Sequence, residues 1–546
     1  MSQSLITPTF LGGNRVIPLR PPDSQRPSWA GPPDYPSDLI VNLGDAPEPL
    51  LPEESDLGIP LPAGSAEGNA AHKLVTIGDS LTMGFKSMAI TDTKLSWPVM
   101  VADALGLTAQ QFTYPSFPGP PDCPGLPLNL EAIVRGMQTA GDGQPPVLKQ
   151  LRETYAAITA ASHVKSYWEH GPGSVPPGTA DNYYHNLAVY SWTVADAYTR
   201  TVGQAVATVN SSAGGLAAFS PIVTHGADRA MLITLRGPLA QDMSNPTTMV
   251  DAAKWLGDHG GIDTLVVALG ANNALPAAVR LRLVWSDHPE QSPTVFTPSH
   301  FQAQLTALAD QVAAITARRV IWATVPHVTV APIALGIGAK TLAKRYYEHY
   351  IHAWIRPDDY LPGVNPALTD QQACAIDSAI DQYNYAIKQL VYNARTATPA
   401  RDWLILDMCG LLDRLAFRRY INDPAGQPAW WQRKAYQLPK VLAALTPLPD
   451  TRFFVSDPSG RTQGGLFALD GTHPTTIGYS ILADQVLKTI DHATGIPPRS
   501  IDFARYLDED SLITHPPSSL AGDLGPLELI NTVVDVGETL LGQPQT

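Results

Sequence analysis

The run LVTIGDSLTMGF, Leu74 to Phe85, joins two kinds of chemistry within a dozen residues. Leu74 to Ile77 is nearly continuous in hydrophobicity, as a strand buried on both faces should be. It stops at Gly78, and Asp79 and Ser80 follow at once. Gly-Asp-Ser is turn chemistry, with glycine supplying an unusual φ and Asp or Ser capping the next helix. A strand that turns into a helix is the opening unit of a parallel sheet, and such sheets bind ligands beyond the carboxyl ends of their strands. A serine at that place faces a site by default. Its hydroxyl is a poor nucleophile alone and needs a base and an anion site from elsewhere in the chain.

The same texture continues downstream. Short runs rich in Val, Ile and Leu at Lys73 to Ile77, Asn186 to Val189, Thr264 to Leu269, Val320 to Val325 and Trp403 to Leu406 are the candidate central strands. Helical periodicity lies between them: Phe301 to Ala317 places Leu305, Leu308, Val312 and Ile315 on one face, and Ala373 to Val391 is a second case. A last helix spans about Pro474 to Ile490 and ends before Gly495. The fold expected for residues 71–495 is α/β, a three-layer α/β/α sandwich around a central parallel sheet, flavodoxin-like in arrangement. Segments at about 115–180, 200–262 and 276–300 are long and irregular for simple connections and are expected to be insertions.

Residues 1–70 are expected to form a Pro-rich arm, because 13 of the 51 prolines fall in the first 62 residues, where they deny the chain helix interiors and sheet ladders. Residues 496–546 form an extension with one apolar helix candidate near Leu527 to Leu541. With 44% hydrophobic and 16% charged residues the composition suits a globular enzyme. A net charge of −14 and the lack of any Lys/Arg block argue against nucleic acid as a partner. The three cysteines, Cys123, Cys374 and Cys409, form no Cys-x-x-Cys pair, which removes zinc ribbons and disulfide frameworks. No basic segment leads into an apolar core and no run of about 18 apolar residues occurs, so the expectation is a cytoplasmic chain without a transmembrane segment. Oligomeric state is left open.

Matching chemistry recurs at the other strand ends. LVVALGANNAL places Gly270, Asn272 and Asn273 at the same sheet edge, where a neutral amide can stabilise an oxyanion. NLAVYSWTVADA brings Ser191 and its backbone N–H there. In ALDGTHPTTIGY, Asp470 precedes His473 by three residues and Pro474 opens a helix, so the carboxylate can hold one imidazole nitrogen while the other points at a nucleophile.

Together these stretches resemble the GDSL or SGNH hydrolase family, over roughly residues 72–492. Gly78-Asp79-Ser80-Leu81 matches the first block of the family, Gly270-Ala271-Asn272 the third and Asp470-Gly471-Thr472-His473-Pro474 the last. The chain departs in having Asn273 where the family usually has Asp, and Ser191 in the second block where it has glycine. The resemblance implies Ser80 as nucleophile, His473 as base and Asp470 as its partner. It implies an oxyanion hole from the N–H groups of Ser80 and Ser191 and the side chain of Asn272. The expected activity is ester hydrolysis of lipase or carboxylesterase type through an acyl-enzyme, on a small-molecule or lipid ester and with no cofactor or metal. Carbohydrate O-deacetylation or acyl transfer would use the same residues, and a silent binding protein could keep the fold. Tyr190 and Trp192, flanking the hole, and Asn273 are the substrate-binding candidates. His349 and His352 in RYYEHYIHAW are better explained as a solvated helix than as metal ligands, and Gly336 to Thr341 lacks the spacing of a phosphate loop.

Overall fold

A computed structural model describes residues 17, 19, 27–31, 34–61, 70–141, 146–175, 178, 180–211, 222–239, 246–288, 290–518 and 520. The elements that position the site are, in chain order, β1 (His72–Gly78), α1 (Ser80–Met83), α2 (Trp97–Ala104), α3 (Leu130–Gly141), α4 (Pro146–Glu169), α5 (Met249–Asp258), β2 (Ile262–Ala268), α6 (Pro298–Val312) and β3 (Ala317–Ala323). They continue with β4 (Ala334–Leu342), β5 (Tyr346–His352), β6 (Leu368–Thr369), α7 (Asp370–Thr396), β7 (Asp402–Leu406), α8 (Met408–Leu415) and α9 (Thr476–Thr494).

The order β1-β2-β3-β7 forms a four-stranded parallel sheet, in which Gly78 lies opposite Ala268, and Trp322 opposite Val267 and Ile405. Val75, Ile77, Leu265, Val266, Ile321 and Ile405 are all buried. Each such side chain contributes roughly 1.5–3 kcal/mol by leaving water, which is why these runs are apolar on both faces. The sheet is the predicted one at four of its five strands.

The fifth, Asn186 to Val189, is not a regular strand. It runs beside β1, with Leu187 N donating to Thr76 O at 2.9 Å and Val189 N to Gly78 O at 3.1 Å, and one parallel bridge between Thr76 and Asn186. Its backbone is diverted by the Asn186 side chain, which accepts from Ala188 N at 3.2 Å and donates to Thr82 O at 3.0 Å. With this edge segment counted, the spatial order of the five is 2-1-3-4-5 in chain sequence, and the direction of winding reverses between β1 and β2. That crevice is where a ligand is expected.

The arm is tied down where it is described. Ser55 O accepts from Ile405 N at 2.9 Å, covering the outer edge of β7, and Ile40 N and Asn42 N donate to Gln382 and Ser378 on α7. The segments expected to be insertions carry helices, α3 and α4 in the first and Val202–Asn210, Gly226–Thr234 and α5 in the second. One expectation fails. RYYEHYIHAW is strand β5, paired antiparallel with β4, so His349 and His352 share no helical face. Its Tyr-rich composition favours a pleated surface over a helix. The candidate helix at Leu527 to Leu541 lies outside the described residues. Among those described, no helix is long and apolar enough to cross a membrane.

Candidate active site

Ser80 is the first residue of α1 and is 6% exposed. Asp79 caps that helix, its Oδ1 accepting from Leu81 N at 3.0 Å. Burial pushes the Asp79 carboxyl up to about 7, against the pull of the Leu81 N–H and of His473. Gly78 is required for space and not, as expected, for an unusual φ. A Cβ there would stand 2.2 Å from Thr82 Oγ1 and 2.9 Å from Ala268 O. The turn is therefore wedged between the adjacent strand and its own helix, which fixes the direction of the serine.

From the far end of the chain, the turn before α9 brings a second pair to the same edge. Asp470 Oδ1 accepts from Thr472 N and His473 N, each at 2.9 Å, and Oδ2 lies 3.1 Å from His473 Nδ1. The other imidazole nitrogen, Nε2, lies 2.9 Å from Ser80 Oγ. Residues 393 positions apart thus form one hydrogen-bonded chain, Asp470 to His473 to Ser80. Burial by itself raises the Asp470 pKa. The His473 ring and N–H and the Met88 N–H outweigh it and hold the carboxyl at about 2. An ionised partner on Nδ1 favours the tautomer whose Nε2 accepts a proton, the arrangement a general base needs. Pro474 lies just outside α9, and Thr475 caps it.

The anion-site candidates follow from the sheet register. Val189 bonds Gly78 O, and Asp79 N donates to Ala268 O at 3.3 Å, so the three strand ends that precede Ser191, Ser80 and Asn272 lie level with one another. Asn272 Nδ2 donates to Trp192 O at 2.9 Å, tying its amide to the turn after Ser191 and leaving one further N–H of that amide to donate. Ser191 has φ +65°, the left-handed conformation a glycine would adopt freely. Ser191→Gly is expected to raise stability by about 1 kcal/mol by removing the Cβ conflict, with ester turnover retained. A thermal melt beside an activity assay checks both.

An apolar cavity of about 120 Å³ begins at Ser80 and His473 and is walled by Leu81, Leu275, Met408, Leu411, Leu415 and Leu482 among others. The substrate-binding candidates lie elsewhere. Tyr190 turns inward, its ring 5.0 Å from that of Phe85, and Trp192 is 4% exposed; neither lines this cavity. Asn273 is fully buried, its carbonyl accepting from Val194 N at 3.1 Å and its amide donating to Gln304 at 3.1 Å, so it braces loops instead of meeting a ligand.

Three contributors escaped sequence reasoning. Met88 N donates to Asp470 Oδ2 at 2.9 Å from a turn in which both Ser87 and Met88 have positive φ, +49° and +64°. A backbone donor leaves no trace in side-chain identity. Phe85 packs on the His473 ring with centroids 4.8 Å apart, and an apolar residue next to a motif reads as core. His327, at the cavity wall, is held by two carboxylates: Nδ1 lies 3.0 Å from Asp413, and Nε2 3.1 Å from Asp381. Its position just past Val325, at the end of the fourth candidate strand, was the available signal. Burial opposes charge on this ring, but Asp413 and its acidic neighbours raise the pKa well above the ordinary imidazole value. Cys409, His327 and Asp413 offer atoms close enough to share a metal. Each ring nitrogen of His327 faces a carboxylate, so a metal bound there would have to displace a proton from the ring.

No family model, curated protein or solved structure matches the chain.

Proposed function

We propose that the chain is a serine ester hydrolase of the GDSL or SGNH type, with the three-layer, flavodoxin-like sandwich expected for that family. The observation that carries this is the chain of hydrogen bonds from Asp470 through His473 to Ser80 at the mouth of an apolar cavity. In the first half-reaction Ser80 Oγ attacks the ester carbonyl carbon while His473 Nε2 takes the hydroxyl proton. The tetrahedral oxyanion is met by the Ser80 and Ser191 N–H groups and by Asn272. Collapse breaks the bond to the alkoxy group, which leaves as alcohol with the proton from His473. Water repeats the sequence on the acyl-enzyme and releases the acid.

The two departures from the family pattern do not weigh against this. Ser191 keeps a backbone N–H and the glycine conformation, and Asn273 is occupied with loop contacts. A fluorophosphonate probe tests the reading. The expected result is labelling of the wild type that is lost in Ser80→Ala; a folded wild type inert to the probe and to short esters would instead be a binding protein.

A further inference from the structure

We propose that the acyl chain of the substrate lies in the cavity leading from Ser80, and that Thr451 is the wall limiting its length; this rests on Ser80 acting as the nucleophile. The cavity is lined by Ser80 and His473; its other polar members, His327, Thr451 and Thr472, are few beside the apolar side chains that make up most of its wall, and both ring nitrogens of His327 face carboxylates, so the space suits an unbranched hydrocarbon chain. A second, smaller cavity of about 30 Å³ lies beyond it, and Thr451 belongs to the walls of both.

Two chain segments form the rest of the partition. One gives Val328 and Ala331 to the first cavity and Val330 and Pro332 to the second; the other gives Leu415 to the first and Ala416 to the second. Thr451 fastens to the latter segment. Its Oγ1 accepts from Phe417 N at 2.9 Å and donates to Leu415 O at 3.2 Å. The side chain is 4% exposed, so it cannot swing into water to let a longer chain pass.

The partition also divides two chemistries. Behind it the walls include Arg418 and Arg419, whose Nε and Nη1, respectively, are buried without a hydrogen-bond partner. A methyl terminus pressed against these guanidinium groups would give their unpaired N–H groups no acceptor. Chain length is thus limited first by the threonine and then by the polarity behind it.

The experiment compares kcat/KM for p-nitrophenyl esters from acetate to dodecanoate in the wild type, Thr451→Ala and Thr451→Ser, with probe labelling of Ser80 in each. Thr451→Ser keeps both hydroxyl bonds and removes only the methyl group, so it reports on space even if the alanine variant folds poorly. The expected wild-type profile rises with length and then breaks. Both variants move the break to longer chains, raising the ratio of kcat/KM for the first rejected ester to that for acetate by about tenfold, the worth of a methylene admitted to an apolar pocket. Leu412→Trp, which fills the first cavity, moves the break to shorter chains. Variants that label at Ser80 and hydrolyse esters with an unmoved break overturn the wall. A wild type that neither labels nor hydrolyses any ester overturns the hydrolase reading itself, and the two failures are distinct.

Discussion

On the proposed esterase reading, Ser80→Ala and His473→Ala are each expected to lower kcat on p-nitrophenyl butyrate by about 10⁶, with the double variant no slower than either single one. The reason lies in the geometry: with Oγ 2.9 Å from Nε2, attack and proton removal are one event, and losing either partner loses the whole of it. Asp470→Asn costs less, about 10⁴, because it leaves the ring in place with the wrong tautomer favoured. Held at about 2, the Asp470 carboxyl stays ionised through the working range, so no loss of rate on mild acidification comes from its protonation. Steady-state kinetics on the purified variants, with circular dichroism to show that each is folded, decides the matter. A folded Ser80→Ala protein retaining a substantial share of the wild-type rate would refute the assignment.

How far the sequence carried this can be judged residue by residue. The strands at 73–77, 264–269, 320–325 and 403–406 were legible because a strand buried on both faces must be apolar throughout. The last helix was legible from Pro474 near its start and Gly495 after its end, where the structure has Thr475 as the cap of α9 and Gly495 at φ +65°. The failures have one physical source. At 186–189 the segment bonds to β1 through Leu187 N and Val189 N but forms a single bridge, with Asn186 Oδ1 accepting from Ala188 N, and at 346–352 a Tyr-rich segment with two histidines fitted helix spacing in the sequence but a hairpin in space. Periodicity reports burial alone, and side chains competing for the backbone do not appear in it.

The site divides the same way. Ser80, Asp470 and His473 were legible because the proposed nucleophile, base and partner each require a specific side chain, and the structure brings those three into contact. The support behind them was not, since Met88 acts through its N–H and Phe85 through its ring. Tyr190 and Trp192 were named for lying beside the anion site in sequence. The cavity lined by Ser80 and His473 is walled instead by Leu275 and by side chains of α8, which come from distant parts of the chain. Proximity along the chain is a poor guide to which wall a ligand meets.

His327→Phe is the substitution outside the Ser80 chain with the largest expected consequence, a loss of about 3–5 kcal/mol of stability. The phenyl ring fills the space of the imidazole but leaves Asp381 and Asp413 buried with no cation between them. Asp381 keeps its bond from Asn42 Nδ2 at 3.1 Å, which does not neutralise it. Nearby, Arg419 is committed to Asp377 at 2.7 Å, so that cation is not free to replace the imidazolium. Because the folded-state pKa of His327 lies well above the ordinary imidazole value of 6.5, its contribution is complete below that pH and is lost progressively as pH rises toward and through the higher, folded-state value. The gap between wild type and variant should therefore be widest in mild acid and should narrow in alkali. Thermal melts across that range measure it. Adding Asp381→Asn to His327→Phe is expected to restore part of the loss, since it removes one of the stranded charges, and this coupling separates the charge network from a simple packing defect. An equal loss at every pH, with no recovery in the double variant, would mean that His327 serves the cavity wall by shape alone.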